Sequence, residues 1–340
     1  MSMTTLSKAA AVAAFAALAS TGAAANGHGH NPPEPTEAKP TGPHMPWGTW
    51  DNFDPVYNVC RGTDARCYNP WVTDRQNKVL IYTRTAGPRH ANLGPALPAG
   101  RNPPLTAAHV VQNALIAWMT EQGVQADWTE DVTQLSGLNQ YKAVIFASTS
   151  RDTLFKHGTA IEPARAVNTT TGAHLDAGRT ALRQYIRAGG GFVGIHNAFG
   201  TEYNWPWYEG LLGNANYYDH GANQNGTVNI VGRDSSTNGL SSFPFRDEWY
   251  NLVPFPTRVK FLATVDENSL ATKRTTHPGH GDFHPVAWCQ YYDGGRAWLT
   301  TLGHDGQAFI DGSGFPGQAQ FKQLIVNGIL SAMGNKPFCR

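Results

Sequence analysis

RAGGGFVGIHNAF, residues 187–199, packs a helix end, a buried strand and a sharp turn into thirteen residues. Asp176 to Ala188 reads as a helix, and Gly189-Gly190-Gly191 stops it, because glycine takes the backbone angles of a helix end without a steric cost. FVGIH (192–196) is apolar up to its last residue, the pattern of a strand buried on both faces. Upstream, KVLIYT (78–83) and YKAVIFAST (141–149) read the same way, and ADWTEDV (126–132) is a shorter strand. Ala107 to Gln122 carries Val110, Val111, Ala114, Leu115 and Trp118 at helical spacing, with Gly123 as the stop. This alternation predicts a doubly wound, mostly parallel α/β sheet with right-handed crossovers. Beyond Thr227 the pattern changes. TVNIV (227–231), RVKFLATV (258–265), PVAWCQYY (285–292) and RAWLTTLG (296–303) predict added antiparallel strands, the last two joined by a hairpin turn at Asp293-Gly294-Gly295. Phe321 to Met333 is a closing helix. No internal repeat is visible, so residues 78–334 read as one domain with a short tail, 335–340.

Charge narrows the function classes. The 340 residues hold 26 Lys plus Arg against 25 Asp plus Glu, a net +1, so there is no basic excess to displace counterions from nucleic acid. Ten Trp, 12 Tyr and 36 Gly at low charge suit a surface that handles neutral, hydroxyl-rich ligands such as carbohydrate, although the same residues fill ordinary cores. Residues 1–25 read as a cleaved secretory signal: Lys8, an apolar run from Ala9 to Ser20, then Ala23-Ala24-Ala25 before Asn26. That run is too short for a bilayer, and no later one approaches the roughly 20 residues a membrane span needs. The expected location is therefore secreted or periplasmic. Residues 26–46 form a Pro-rich linker in which His28 and His30 sit on a solvated tail, and 47–77 an irregular extension holding Trp and Cys. Four cysteines in an exported chain imply two disulfides, Cys60–Cys67 and Cys289–Cys339, with reduced, buried thiols as the alternative. No CxxC pair supports a zinc-thiolate site.

In a doubly wound sheet the chemistry sits at the carboxyl ends of the strands. There the sequence delivers Arg89 and His90 after the first strand, and His196 at a sharp turn. FRDEWYNL supplies Asp247, Glu248 and Tyr250, and LGHD supplies His304 and Asp305. The loop HPGHGDFH adds His277, His280 and His284 at ligand-like spacing, read either as a metal site or as a polar loop. Bland readings stand beside each. His196 as a backbone-bonded turn residue, Asp247-Glu248 as a solvated pair or a partner for Arg246, Arg89 as a pin for its own loop, and Trp205, Trp207 and Tyr208 as core all remain open.

TRTAGPRH (83–90), RAGGGFVGIHNAF (187–199), WPWYEGLLG (205–213) leading to Asp219-His220, RDEWYNL (246–252), HPVAW (284–288) and GGRAWLTTLGHD (294–305) together resemble the ThuA-like (trehalose-utilisation) proteins. The resemblance covers nearly all of residues 78–334 and implies the class I glutamine amidotransferase-like fold, a flavodoxin-like α/β sheet. Related amidotransferases place a nucleophilic Cys at the turn where this chain has His196, and no cysteine here lies at such a turn, so glutaminase chemistry is excluded. No G-x-S-x-G serine elbow exists, and no G-x-G-x-x-G follows a predicted strand.

The family's link to disaccharide catabolism, particularly to 3-keto sugars, implies proton abstraction beside a carbonyl, ending in isomerisation or cleavage. On that reading His196 is base or metal ligand and Glu248 its acid/base partner. His220 and His304 are further ligands or polarising groups, so a divalent metal such as zinc has candidate ligands in His196, His220 and His304. Arg89, His90, Tyr203, Trp207, Tyr208, Asp247 and Tyr250 line the sugar pocket. A non-catalytic carbohydrate-binding protein of the same fold is the alternative.

Overall fold

The protein is described by a computed structural model covering residues 52–154, 177–272 and 276–340. The signal and linker readings, with His28 and His30, lie outside the described residues. Those residues hold thirteen strands: β1 Phe53–Asp54, β2 Val59–Gly62, β3 Gln76–Tyr82, β4 Gln125–Thr129, β5 Tyr141–Ala147, β6 Gly191–Ile195, β7 Tyr217–His220, β8 Gln224–Ile230, β9 Phe243–Asp247, β10 Tyr250–Leu252, β11 Lys260–Val265, β12 His284–Tyr292 and β13 Gly295–Thr300. Four α-helices accompany them: α1 Val110–Glu121, α2 Ala177–Arg187, α3 Pro206–Leu211 and α4 Gln318–Ala332.

The architecture is a mixed α/β sheet in the order β4-β3-β5-β6-β13-β12-β11-β8-β9. The first five strands run parallel and the rest antiparallel. Strand alternation divides the core into two layers. Val79, Ile81, Ala143, Ile145 and Val193 share one with Val111, Leu115 and Trp118 of α1 and Phe321, Leu324 and Ile329 of α4. Leu80, Tyr82, Val144, Phe146 and Phe192 share the other with Leu182 and Tyr185 of α2 and Trp207 and Leu211 of α3. Both faces of the parallel strands are thus apolar, which is why their sequences read as continuous hydrophobic runs. Gly328 of α4 lets the helix lie on Trp298 of β13, since a Cβ there would meet the indole at 2.3 Å.

Several boundaries differ from the sequence reading. Helix α1 starts at Val110 because the His109 ring folds back, its Nδ1 accepting the Thr106 backbone N–H at 2.9 Å. The extension before the parallel sheet is less irregular than expected: β1 pairs with β2, and β2 joins the edge of β12 through Gly62 and Arg61. Residues 335–340 are packed as well, with Phe338 against the Tyr291 ring and Cys339 buried.

Both disulfides form, Cys60–Cys67 and Cys289–Cys339, with no free cysteine among the described residues. Two disulfides fit an oxidising compartment. The described residues contain no helix long and apolar enough to cross a membrane. Cys289–Cys339 closes a separation of 50 residues and Cys60–Cys67 one of 7. Loop-closure entropy then assigns about 4 kcal/mol to the first and about 2.4 kcal/mol to the second. Cys289→Ala/Cys339→Ala should therefore lower the urea midpoint clearly more than Cys60→Ala/Cys67→Ala.

Register aligns the strand ends that matter. Ala147 of β5 lies beside Ile195 of β6, which lies beside Thr300 of β13. Residues 148–151, His196 and 301–304 therefore emerge together at one edge of the sheet.

Candidate functional site

His196 follows the last residue of β6 and opens a 3-10 turn, His196–Gly200, with φ at +52°. A non-glycine residue in that region costs of order 1–3 kcal/mol and persists only where its surroundings fix it. Here they do. The ring is fully buried, and Nδ1 lies 2.9 Å from the Thr301 carbonyl oxygen. A carbonyl only accepts, so Nδ1 carries the proton and Nε2 of the neutral ring presents a lone pair. Burial, then the neighbouring His90, drives the imidazole pKa well below its ordinary value, so the ring is neutral. Nε2 faces the Tyr250 hydroxyl at 2.9 Å and His90 Nε2 at 3.1 Å. Gly303, at φ +129°, lets the chain leaving β13 pass close to His196: a Cβ there would lie 3.4 Å from the His196 Cβ.

Glu248 stands in the two-residue corner between β9 and β10 and carries the negative charge of the site. Its Oε2 lies 2.9 Å from His304 Nδ1 and 3.6 Å from His220 Nε2. Burial raises its pKa, but the His304 hydrogen bond and charge outweigh it, and the carboxyl is held below the ordinary Glu range. Burial likewise opposes the charged form of His304, and Glu248 outweighs it, raising that imidazole's pKa. His90 goes the other way: burial, then the charge of His304, lowers it to about 4. Two imidazoles whose neutral form burial favours therefore sit beside a His304–Glu248 pair whose charged forms favour each other. One ligand-type atom from each of His90, His196, Glu248 and His304 lies within 4.8 Å of the others. The sequence reading put His220 in this donor set; the structure puts His90 and Glu248 there, with His220 across the carboxylate.

Several expected pocket residues hold the frame instead. The Arg89 guanidinium donates to the carbonyls of Gly94, Leu93 and Pro95 and pairs with Glu130 at 2.8 Å, so it pins the loop that carries His90. Asp247 is buried and accepts from the backbone N–H of Gly303 at 2.7 Å, Glu248 at 2.8 Å and His304 at 3.3 Å. Desolvation pushes its pKa up to about 7 against those donors, and it fixes the two loops that bear Glu248 and His304. Arg246 pairs with Asp305 and ties the same loops again. Trp207 and Tyr208 belong to the core: the Trp207 indole donates to Asp293 at 2.8 Å and the Tyr208 hydroxyl to the Ala198 carbonyl at 3.1 Å. Their partners lie 86 and 10 residues away, which no local pattern reveals.

A cavity of about 300 Å³ opens over this cluster, lined among others by His90, Arg151, Tyr203, Tyr217, His220, Glu248 and Tyr250. Tyr203 is in the cleft as expected, its hydroxyl donating to the Tyr217 carbonyl at 2.9 Å. Tyr217 and Arg151 were not foreseen. Applying the strand-end rule to YKAVIFAST would have found Ser150 and Arg151, which follow it directly. The described residues also shape a larger groove, about 680 Å³ along 230–242, but it gathers no cluster of ionisable side chains.

His277, His280 and His284 do not converge as metal donors. His284 lies between the Glu267 carboxylate, 2.7 Å from Nδ1, and the Tyr250 carbonyl oxygen, 2.9 Å from Nε2. His280 Nε2 accepts the Leu252 N–H at 3.0 Å, and burial lowers its pKa to about 4. The loop clamps β10 and so sets where Tyr250 stands. His284→Leu removes an imidazole from two buried acceptors and should cost about 1–3 kcal/mol in urea unfolding.

Comparison with known proteins places this geometry. Residues 78–330 match the ThuA family, described as trehalose utilisation. A ThuA-like protein from Bacteroides uniformis superposes with TM-score 0.54 at 22% identity, covering 78% of this chain and 95% of that one. Another, from Parabacteroides merdae, gives TM-score 0.50 at 17% identity, covering 76% and 90%. At these identities the likeness is one of fold. No curated protein matches the chain. With about three quarters of its length matched, and with the motifs that carry the match folding into one cleft, the chain belongs to the ThuA family.

Proposed function

We propose that the protein is an exported enzyme that removes a proton beside the carbonyl of an oxidised sugar, such as a 3-keto-disaccharide or 3-keto-glycoside. The observation that carries this reading is the Glu248–His304 pair at 2.9 Å on the cleft, beside a buried neutral His196 and the Tyr250 hydroxyl. A ketone acidifies the neighbouring C–H bond, and the ionised Glu248 carboxylate is the base that takes the proton. The electron pair moves onto the carbonyl oxygen. Tyr250 keeps its proton, because burial and the nearby carboxylates raise its pKa well above the ordinary phenol value. In the free protein that proton is donated to His196 Nε2, and a substrate oxygen entering the cleft is positioned to take it, which stabilises the oxyanion. Return of the proton to the former carbonyl carbon, with the hydroxyl proton on the deprotonated carbon passing to the oxyanion, moves the ketone by one carbon and isomerises the sugar; loss of a glycosidic oxygen from the β position cleaves it by elimination. Phenols of Tyr203 and Tyr217 and the Arg151 guanidinium supply the sugar-facing wall.

Family membership supports the substrate class, since the family is described by trehalose utilisation. The two disulfides support a site of action outside the cytoplasm. The test is turnover of 3-keto-trehalose and a 3-keto-glucoside, with unoxidised trehalose as control. Wild type is expected to consume only the keto sugars, and Glu248→Ala to lose at least about 10²-fold in kcat, the lower end of an acid/base contribution. Keto sugars bound but left unchanged by the wild type would assign the chain to the carbohydrate-binding class instead.

A further inference from the structure

The cluster beneath the cleft has the makings of a metal site. His196 Nδ1 is committed to the Thr301 carbonyl, so its Nε2 lone pair is turned toward the other donors, the arrangement by which an outer partner fixes a metal-binding imidazole. His90 Nε2 stands 3.1 Å from that same nitrogen. A zinc ion with bonds of 2.0–2.1 Å has tetrahedral edges of about 3.4 Å, so the two nitrogens already lie near one edge. The three imidazole planes of His90, His196 and His304 meet at 75°, 81° and 70°, with centroids 4.7, 5.3 and 5.4 Å apart. Three rings set edge to face in this way can bring in-plane lone pairs to one point. Glu248 supplies a fourth donor within 4.8 Å.

Hydrogen bonding alone leaves this set poorly matched. The single Nε2 lone pair of His196 has two suitors, the Tyr250 O–H and the His90 ring. If His90 donates through Nε2, its buried Nδ1 is left as a lone pair with no hydrogen-bond partner. A cation drawing on both imidazoles relieves the competition and releases the Tyr250 proton for a ligand oxygen.

We infer that His90, His196 and His304, with Glu248, form a tetrahedral site for a divalent transition metal, zinc foremost given three imidazoles, one carboxylate and no thiolate. His220 lies outside the set. The inference concerns the same cleft and rests on the function proposed above only for its use: a sugar oxygen that displaced Glu248 would leave the carboxylate next to the substrate, where the base must stand.

The full mature chain, stripped with chelator and dialysed, is titrated with zinc chloride and with cobalt(II) chloride. One zinc per chain is expected by elemental analysis, with the strong visible bands of tetrahedral cobalt. His90→Ala and His196→Ala should weaken zinc binding by more than the 10–100-fold that losing an outer partner costs, while His220→Ala keeps it. His90 sits at the rim, so His90→Ala decides the matter if the buried His196→Ala fails to fold. No stoichiometric zinc in wild type, or zinc retained in His90→Ala and every folded His196→Ala sample, overturns the site. Zinc held at these residues without keto-sugar turnover sinks only the proposed function. Turnover unchanged in chelated, zinc-free protein sinks only the metal's use in the reaction.

Discussion

Glu248→Gln should lower kcat on a 3-keto sugar by about 10³-fold, within the range a positioned general base contributes, and leave KM within a few-fold. The substitution keeps the volume of the side chain and removes its charge. What it takes away is a carboxylate that lies against two imidazoles at once, His304 at 2.9 Å and His220 at 3.6 Å. Because Glu248 is the largest influence raising the His304 pKa, a second readout follows. In chelator-treated protein, the His304 ring protons should titrate at lower pH in Glu248→Gln than in wild type. A structural role alone predicts a changed melting temperature and an unchanged ring titration.

Tyr250→Phe should cost about 10²-fold or more in kcat, the loss typical of removing one donor to a developing oxyanion. The ring itself is expected to stay in place. It stacks on His196 at 4.6 Å between centroids and packs against Tyr217 at 4.5 Å, contacts that phenylalanine retains. Its backbone is held independently, by His284 at the carbonyl and by the pairing of β10 with β7, where Tyr250 faces His220. Stability should therefore fall by only about 1 kcal/mol, the net worth of one hydrogen bond. A kcat effect far larger than the stability effect separates chemistry from folding.

The parallel half of the sheet was legible because burial on both faces removes polar residues: the last four residues of β3 and every residue of β6 are buried. The short strands β7, β9 and β10 were not. FPFRD and YYDH mix Pro, charge and aromatic residues over four or five positions, and their strand character comes from pairing partners distant in sequence. Site residues followed the same division. His196, Glu248 and His304 were marked by a strand end or the acidic corner; the aligned ends of β6 and β13 bring His196 and His304 together, and Asp247 ties the Glu248 corner to residues 303–304. Arg89 could not be assigned from sequence, because its role depends on carbonyls of Leu93, Gly94 and Pro95 curling back on it. The histidine-rich loop stayed open between two readings for a related reason. Its spacing resembles a ligand set, but Glu267 and the backbone of β10 take up its imidazoles.

The most direct measurement is proton NMR of a 3-keto-disaccharide incubated with the protein in deuterium oxide. Wild type should remove the hydrogen on the carbon next to the carbonyl, by deuterium exchange or by elimination, faster than buffer alone, and Glu248→Gln should abolish the excess. Conversion that keeps the original hydrogen on that carbon, binding with no loss of it beyond the buffer rate, or loss that persists in Glu248→Gln, would contradict proton abstraction by this cleft.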